Sequence, residues 1–343
     1  MRTIRIASVL VAAGVLATAG CEYNEFERQR AVGHYVRGQL LADRGDLDAA
    51  LDELARAVRA DPDLSVAHSA VGDIHRKRGD YDLARVSYEN ACGANPYAFR
   101  PHYNLGVVYQ VLAHAAKTFQ RAEECLREAV AVYLRAISLE PDDFDAGLNL
   151  SACYFSLGKH ALAEKYCRAA IALQPDRPEA YSNLGVILDS QDRLNEAVKA
   201  YMDSLELDVH QPKLWLNLGA AYMRQGRLKE ARSALEMATR EDPDSAEAWA
   251  QLGTCHYHRK EYVQAVSVYD KAISLDDANA AAHRGLGVVY MTQFLLTRGT
   301  DGLLREKALA AWHLSLGIDP DQEDVAHLVR KYSPKPEAPG PEL

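Results

Sequence analysis

The 343-residue chain has no excess of basic charge. Its formal net charge is −9, and no stripe of lysine and arginine is available for a phosphate backbone, which argues against a nucleic-acid partner. Glycine and proline, at 21 and 13 residues, are too few for a collagen-like or low-complexity chain. The short signatures of common catalytic sites are missing too: no Walker loop, no Gly-x-Gly-x-x-Gly after a strand, no Gly-x-Ser-x-Gly elbow and no His-Glu-x-x-His. The apolar run from Ile6 to Ala17 is too short to cross a bilayer comfortably as a mature helix. What remains is a chain with 48% hydrophobic residues and aromatics led by tyrosine, a composition that suits packed helices.

The first residues stand apart. Arg2 and Arg5 precede the apolar run, the small residues Thr18, Ala19 and Gly20 follow it, and Cys21 comes next. This order is that of a secretory signal over residues 1–20. Its end resembles the lipobox of bacterial lipoproteins. The resemblance implies that Cys21 becomes a lipidated N-terminus, that residues 21–30 are a short tether, and that the membrane is a partner through this lipid. Glu22 is not the aspartate that resembles an inner-membrane retention signal, so the implied location is the outer membrane, facing the periplasm. Extended, Glu22 to Arg30 reach about 30 Å at most.

From Ala31 onward the chain repeats. A unit of 34 residues places its boundaries at 31–64, 65–98, 99–143, 144–177, 178–211, 212–245, 246–279 and 280–322. Position 8 of the unit is small throughout: Gly38, Gly72, Gly106, Ser151, Gly185, Gly219, Gly253 and Gly287. A larger side chain there would hold two helices apart. Positions 20 and 27 are alanine or serine, seven residues apart on one stripe of a second helix. Position 32 is proline in Pro62, Pro96, Pro141, Pro175, Pro243 and Pro320, where a residue without an N–H ends the second helix. In the cleanest copy, Pro212 to Ser245, Gly226 breaks the helix and Trp215 reads as the chief packing residue.

This pattern resembles the tetratricopeptide repeat family over residues 31–320. The resemblance implies an all-α solenoid, a right-handed superhelix of eight helix-turn-helix hairpins with a concave groove lined by the first helices. Two units are stretched between their helices. The third is expected to turn near Lys117 and Thr118 before a long second helix, and the eighth to carry a loop from Thr297 to Gly302. After Pro320, Asp321 is expected to cap a helix over 321–332 whose Val325, Leu328, Val329 and Tyr332 share a face, and residues 333–343 read as a proline-rich tail.

Function is less legible. The cluster Cys255, His256 and His258 does not converge on an ion, because His256 and His258 lie about 200° apart around a helix. No metal, cofactor or catalytic residue is assigned. Cys92, Cys125, Cys153, Cys167 and Cys255 read as buried thiols. His34, His68, His102 and His283 all fall at position 4, where other copies have Trp215 and Trp249, and read as core-edge residues.

The groove face of the first helices carries Tyr103, Leu148, Phe155, Leu216, Met223 and Tyr257, interrupted by Arg224 and Arg284 among others. Beside it, Asn104, Asn149, Asn183 and Asn217 occupy position 6 of four consecutive units. Side-chain amides both donate and accept, so such a ladder can pair with the backbone of an extended peptide. The resulting expectation is a non-enzymatic, membrane-anchored scaffold holding a protein or peptide partner in cell-envelope assembly or secretion. A second reading places an enzymatic or small-ligand site around the extended third unit, near His114 and Cys125.

Overall fold

The computed structural model describes residues 25–334, so the expected signal, Cys21 and all but the first two residues of the tail lie outside the described residues. The chain divides into two compact units, Met1–Pro175 and Asp176–Leu343. Every regular element among the described residues is an α-helix. The first unit contains α1 (residues 25–43), α2 (Leu47–Ala60), α3 (Ser65–Arg78), α4 (Tyr81–Ala94), α5 (Phe99–His114), α6 (Phe119–Leu139), α7 (Phe144–Ser156) and α8 (His160–Leu173). The second contains α9 (Pro178–Ser190), α10 (Leu194–Leu207), α11 (Pro212–Arg224), α12 (Leu228–Glu241), α13 (Ala246–His258), α14 (Tyr262–Leu275), α15 (Ala280–Leu296), α16 (Gly302–Ile318) and α17 (Glu323–Tyr332). Consecutive helices pair as hairpins, and within each of the two compact units successive hairpins pack on one another, as in the tetratricopeptide solenoid.

The closest approach within each hairpin explains position 8. A Cβ on Gly38, Gly72, Gly106, Gly185, Gly219, Gly253 or Gly287 would fall 2.3 to 2.8 Å from the side chain at position 24 of the same unit. Those side chains are Leu54, Tyr88, Tyr133, Tyr201, Leu235, Tyr269 and Trp312. The fourth unit breaks both halves of the rule together. Ser151 stands at position 8 and the smaller Cys167 at position 24, and the Ser151 hydroxyl donates to the Ala163 carbonyl at 2.7 Å.

The links between units are built from polar groups. Asp61, Asp208, Asp242, Asp276 and Asp319, at position 31, accept from the backbone N–H two residues on, closing Asx turns around the proline site. Position 4 then clamps the link. Trp215 and Trp249 donate their indole N–H to Val209 and Pro243 carbonyls at 2.9 Å, and rings of His68 and His283 reach Pro62 and Asp277 carbonyls. In these four units the position-4 ring thus serves through its N–H as much as through its apolar bulk. Trp215 is accordingly half-exposed, and the largest fully buried side chain of its copy is Leu235. Where alanine gives way to serine at position 27, Ser204 and Ser315 donate to Pro178 and Ala280 carbonyls, and Gln211 and Gln322 bond to the same turns.

Other boundaries refine the expectations. In the third unit the turn falls at residues 115–118, and Thr118 caps the 21-residue α6 by accepting from the Arg121 N–H at 3.2 Å. The eighth unit's link falls at residues 297–301, where the loop was expected apart from Gly302, which already opens α16; Arg298 and Gly299 hold positive φ there, and α15 and α16 run to 17 residues each. The residue that caps α17 is Gln322, not Asp321. Residues 25–30, expected as tether, already belong to α1, where Glu27 pairs with Arg30 at 3.2 Å.

Candidate functional site

Within the first unit, the exposed side of α3, α5 and α7 is a polar network laid over aromatic rings. Asp73 accepts from Tyr88 at 2.6 Å and from the Asn104 amide at 3.3 Å, with Arg76 3.6 Å away. Asn149 donates to the Tyr103 hydroxyl at 3.3 Å, and Tyr103 itself stacks on Phe99 and meets the edge of Tyr133. Two members of the asparagine ladder therefore already have partners within their own unit. Leu148, expected to face the groove, is 7% exposed and belongs to the packed layer. Phe155 is half-buried and turns its ring against His160.

In the second unit the ladder is freer. Asn183 and Asn217 are half-buried, and Asn217 lines a cleft of about 340 Å³ with Ser182, Val186, Gln211, Pro212, Lys213 and Leu214. Leu216 and Met223 are half-buried on the same helix. Arg224 is committed to the preceding hairpin, pairing with Asp189 and with Asp192 at 2.6 Å. The structure brings Tyr257 and Arg284 together in a larger cavity of about 430 Å³. Its walls come from α13, α15 and α17: Glu247, Gln251, Thr254 and Tyr257 from the first, Arg284 and Val288 from the second, Asp324 and Leu328 from the third. The Tyr257 hydroxyl bonds Thr292 at 3.3 Å, and Arg284 lies 3.9 Å from Asp324. The cavity offers an apolar floor, two carboxylates and one guanidinium.

Sequence reading did not assign Glu247, Gln251, Asp324 or Leu328. The signal was present, because α17 continues the 34-residue frame as the first helix of a ninth unit. Asp324 falls at position 2, beside Glu247 in the frame, and Leu328 takes the ladder position.

The remaining candidates do not assemble into chemistry. His256 is buried and bonds Glu261 at 2.7 Å, while His258 is exposed against the Tyr257 ring. Among the described residues no group of three or more His, Cys, Asp or Glu side chains is placed to hold a metal ion. None of the five described cysteines forms a disulfide. Burial pushes the thiols of Cys92, Cys153 and Cys167 up to about 12 and that of Cys255 up to about 11, so none offers a ready thiolate. In the third unit Cys125 is buried in the packed layer, whereas His114 faces solvent at the end of α5. Among the described residues no helix is long and apolar enough to cross a membrane.

A family model described as the cilia and flagella-associated protein 70 C-terminal domain matches residues 10–288. The chain belongs to that family. The family match thus takes in the first seven hairpins and enters the eighth, Tyr257 and Arg284 included. The chain is also similar to superkiller complex protein 3 of Mus musculus, at 27% identity over 128 residues, covering 37% of this chain and 8% of that protein. It thus spans only a small part of that relative. Among solved structures it resembles the C-terminal part of a TPR repeat-containing protein from Cytophaga hutchinsonii. That likeness has TM-score 0.57 and 16% identity, and covers 75% of this chain and 97% of the other. It also resembles pilF of Pseudomonas aeruginosa, with TM-score 0.53, 18% identity and coverage of 64% and 94%. These likenesses establish the helical-repeat fold of this family member.

Proposed function

We propose that the protein is a non-enzymatic scaffold that holds a partner polypeptide against the first helices of its hairpins, while a lipid on Cys21 anchors it to the outer membrane in envelope assembly or secretion. The observation that carries the binding reading is the cavity between α13, α15 and α17. Tyr257, Val288 and Leu328 give it apolar surface, and Glu247 and Asp324 set carboxylates at its rim. Such a site accepts an apolar anchor residue next to a basic one in an extended or helical segment. The half-buried amides of Asn183 and Asn217 would serve the backbone of the same segment. The likeness to a protein named as a component of a complex agrees with a scaffold role.

A photo-crosslinking residue in place of Gln251 should capture the partner in cells, and one in place of the exposed Val263 on α14 should not. Purified with that partner, the Tyr257→Ala, Glu247→Gln double variant should bind about tenfold more weakly or worse. Equal capture at both positions, or unchanged affinity, would reject the groove. The anchor has its own test: a fatty-acid analogue fed to cells should label the wild type and leave Cys21→Ser unlabelled.

A further inference from the structure

We propose that the outer face of α1 is a lipid-contacting surface that lays the first hairpin against the membrane; this rests on the lipid anchor proposed for Cys21. The face is recognised by its register. Position 10 of the unit is packed against the preceding hairpin in the later copies: Ile74, Val108, Cys153, Ala221, Cys255 and Val289 are at most 4% exposed. Leu40 occupies the same position in the first unit and is 52% exposed. Val36 and Val32, one and two turns earlier on the same stripe, are open as well, and Phe26 extends the apolar surface toward the start of the helix.

The occupant follows from the flanks and from where the chain leads. At about 100° per residue, Arg28 borders the stripe on one side and Arg37 and Arg44 on the other, with Glu25 and Asp43 at its ends. Arg28 lies 4.0 Å from Asp61 and Arg37 bonds Glu53 at 2.9 Å, yet both side chains stay more than half exposed, at 69% and 56%. An apolar stripe between arginines is the pattern of a helix lying in a bilayer interface, with its apolar side among acyl chains and its guanidinium groups at anionic headgroups. Cys21 lies four residues before the first described residue of α1, so a lipid there stays within about 13 Å of the helix. A second copy is the weaker occupant. A strip about 20 Å long and one helix wide covers on the order of 200 Å² per partner, well short of the roughly 600 Å² or more that a stable dimer needs.

The test places an environment-sensitive fluorophore through Val36→Cys in the full chain carrying Cys92→Ala, with the same label through Val263→Cys as control. The chain is incorporated into vesicles of three parts phosphatidylcholine to one part phosphatidylglycerol. The label at position 36 should shift to the blue, resist aqueous iodide at least threefold better than in detergent, and be quenched by spin-labelled lipid. The control label should do none of these. Val32→Gln with Leu40→Gln should abolish the shift while circular dichroism stays unchanged. A position-36 label as open to iodide on vesicles as in detergent would overturn the proposal. So would a blue shift that grows with protein concentration without vesicles, which identifies a second copy. Mass spectrometry of the same preparation reports the lipid on Cys21 separately, so a lipidated chain whose position-36 label stays open to iodide loses the face alone, and an unlipidated chain that leaves the vesicles loses the anchor and the face with it.

Discussion

Gly185 and Tyr201 share one space. A Cβ on Gly185 would sit 2.3 Å from the Tyr201 ring, closer than non-bonded carbons approach, so a methyl group must push α9 from α10 or turn the ring. Gly185→Ala is expected to cost about 1–3 kcal/mol in urea unfolding. Tyr201→Cys, the residue type that Cys167 places opposite Ser151, should return part of that cost, giving a coupling of about 0.5 kcal/mol or more in the double-mutant cycle. Additive losses would show that the two positions are not one packing unit. A second residue-scale expectation concerns Lys260, which holds φ 63° where Gly226 holds 72° in the preceding copy. Glycine carries no Cβ penalty there, a gain that exceeds the cost of a looser unfolded chain, so Lys260→Gly should raise the urea unfolding free energy by about 0.5 kcal/mol, and an unchanged or lower value would show that Lys260 is not strained. The small residues at position 8 were visible in the sequence as a column. Their counterparts at position 24 were not, because leucine, tyrosine, tryptophan and cysteine share no common size or polarity. Only the structure shows that what they share is the space beneath position 8.

At the scale of the helix, the ends of the solenoid explain residues that the repeat frame alone misreads. In α17 position 8 is Arg330, not glycine, since no second helix among the described residues presses on that face. Its Val325 is fully buried, and Leu328, Val329 and Tyr332 pack around Trp312 and Met291. The apolar face was legible from spacing in the sequence. The contribution of Asp324 to the cavity was not, because a capping helix and a half-repeat have the same periodicity, and only the position of α17 beside α15 separates them. At the other end, His34 has no preceding link to clamp and turns instead to Glu53 at 2.8 Å. Bonds from His34 and then Arg37 hold the Glu53 carboxyl well below its usual range, at about 2. A depressed carboxylate pKa contributes stability that is present above the unfolded value near 4.5 and is lost as pH falls toward 2. Glu53→Gln should therefore lower the urea midpoint at pH 7, with the difference from wild type closing between about pH 4.5 and 2. A difference that persists unchanged at pH 2 would assign the loss to packing instead of charge.

At the scale of the molecule, a chain in which each hairpin packs chiefly on its neighbours spreads damage only as far as those contacts reach. The second unit permits a direct test. Val325 is buried against α15 and α16, with Met291, Ala308 and Trp312 in the same cluster. Val325→Ala removes two methyl carbons and is expected to cost about 2 kcal/mol. Hydrogen exchange should show this loss in α15, α16 and α17, while protection of α11 and α12, which share no side chain with that cluster, changes little. With Trp215 and Trp249 replaced by phenylalanine, the Trp312 indole, bonded to the Arg284 carbonyl at 3.2 Å, gives an independent fluorescence signal for the same end of the chain. The affected helices also form two walls of the Tyr257 and Arg284 cavity, so the variant should weaken partner binding there without touching a lining residue. Equal loss of protection from α9 through α17 would instead mean that the second unit unfolds as one cooperative body. The partner would then read the stability of all its hairpins at once.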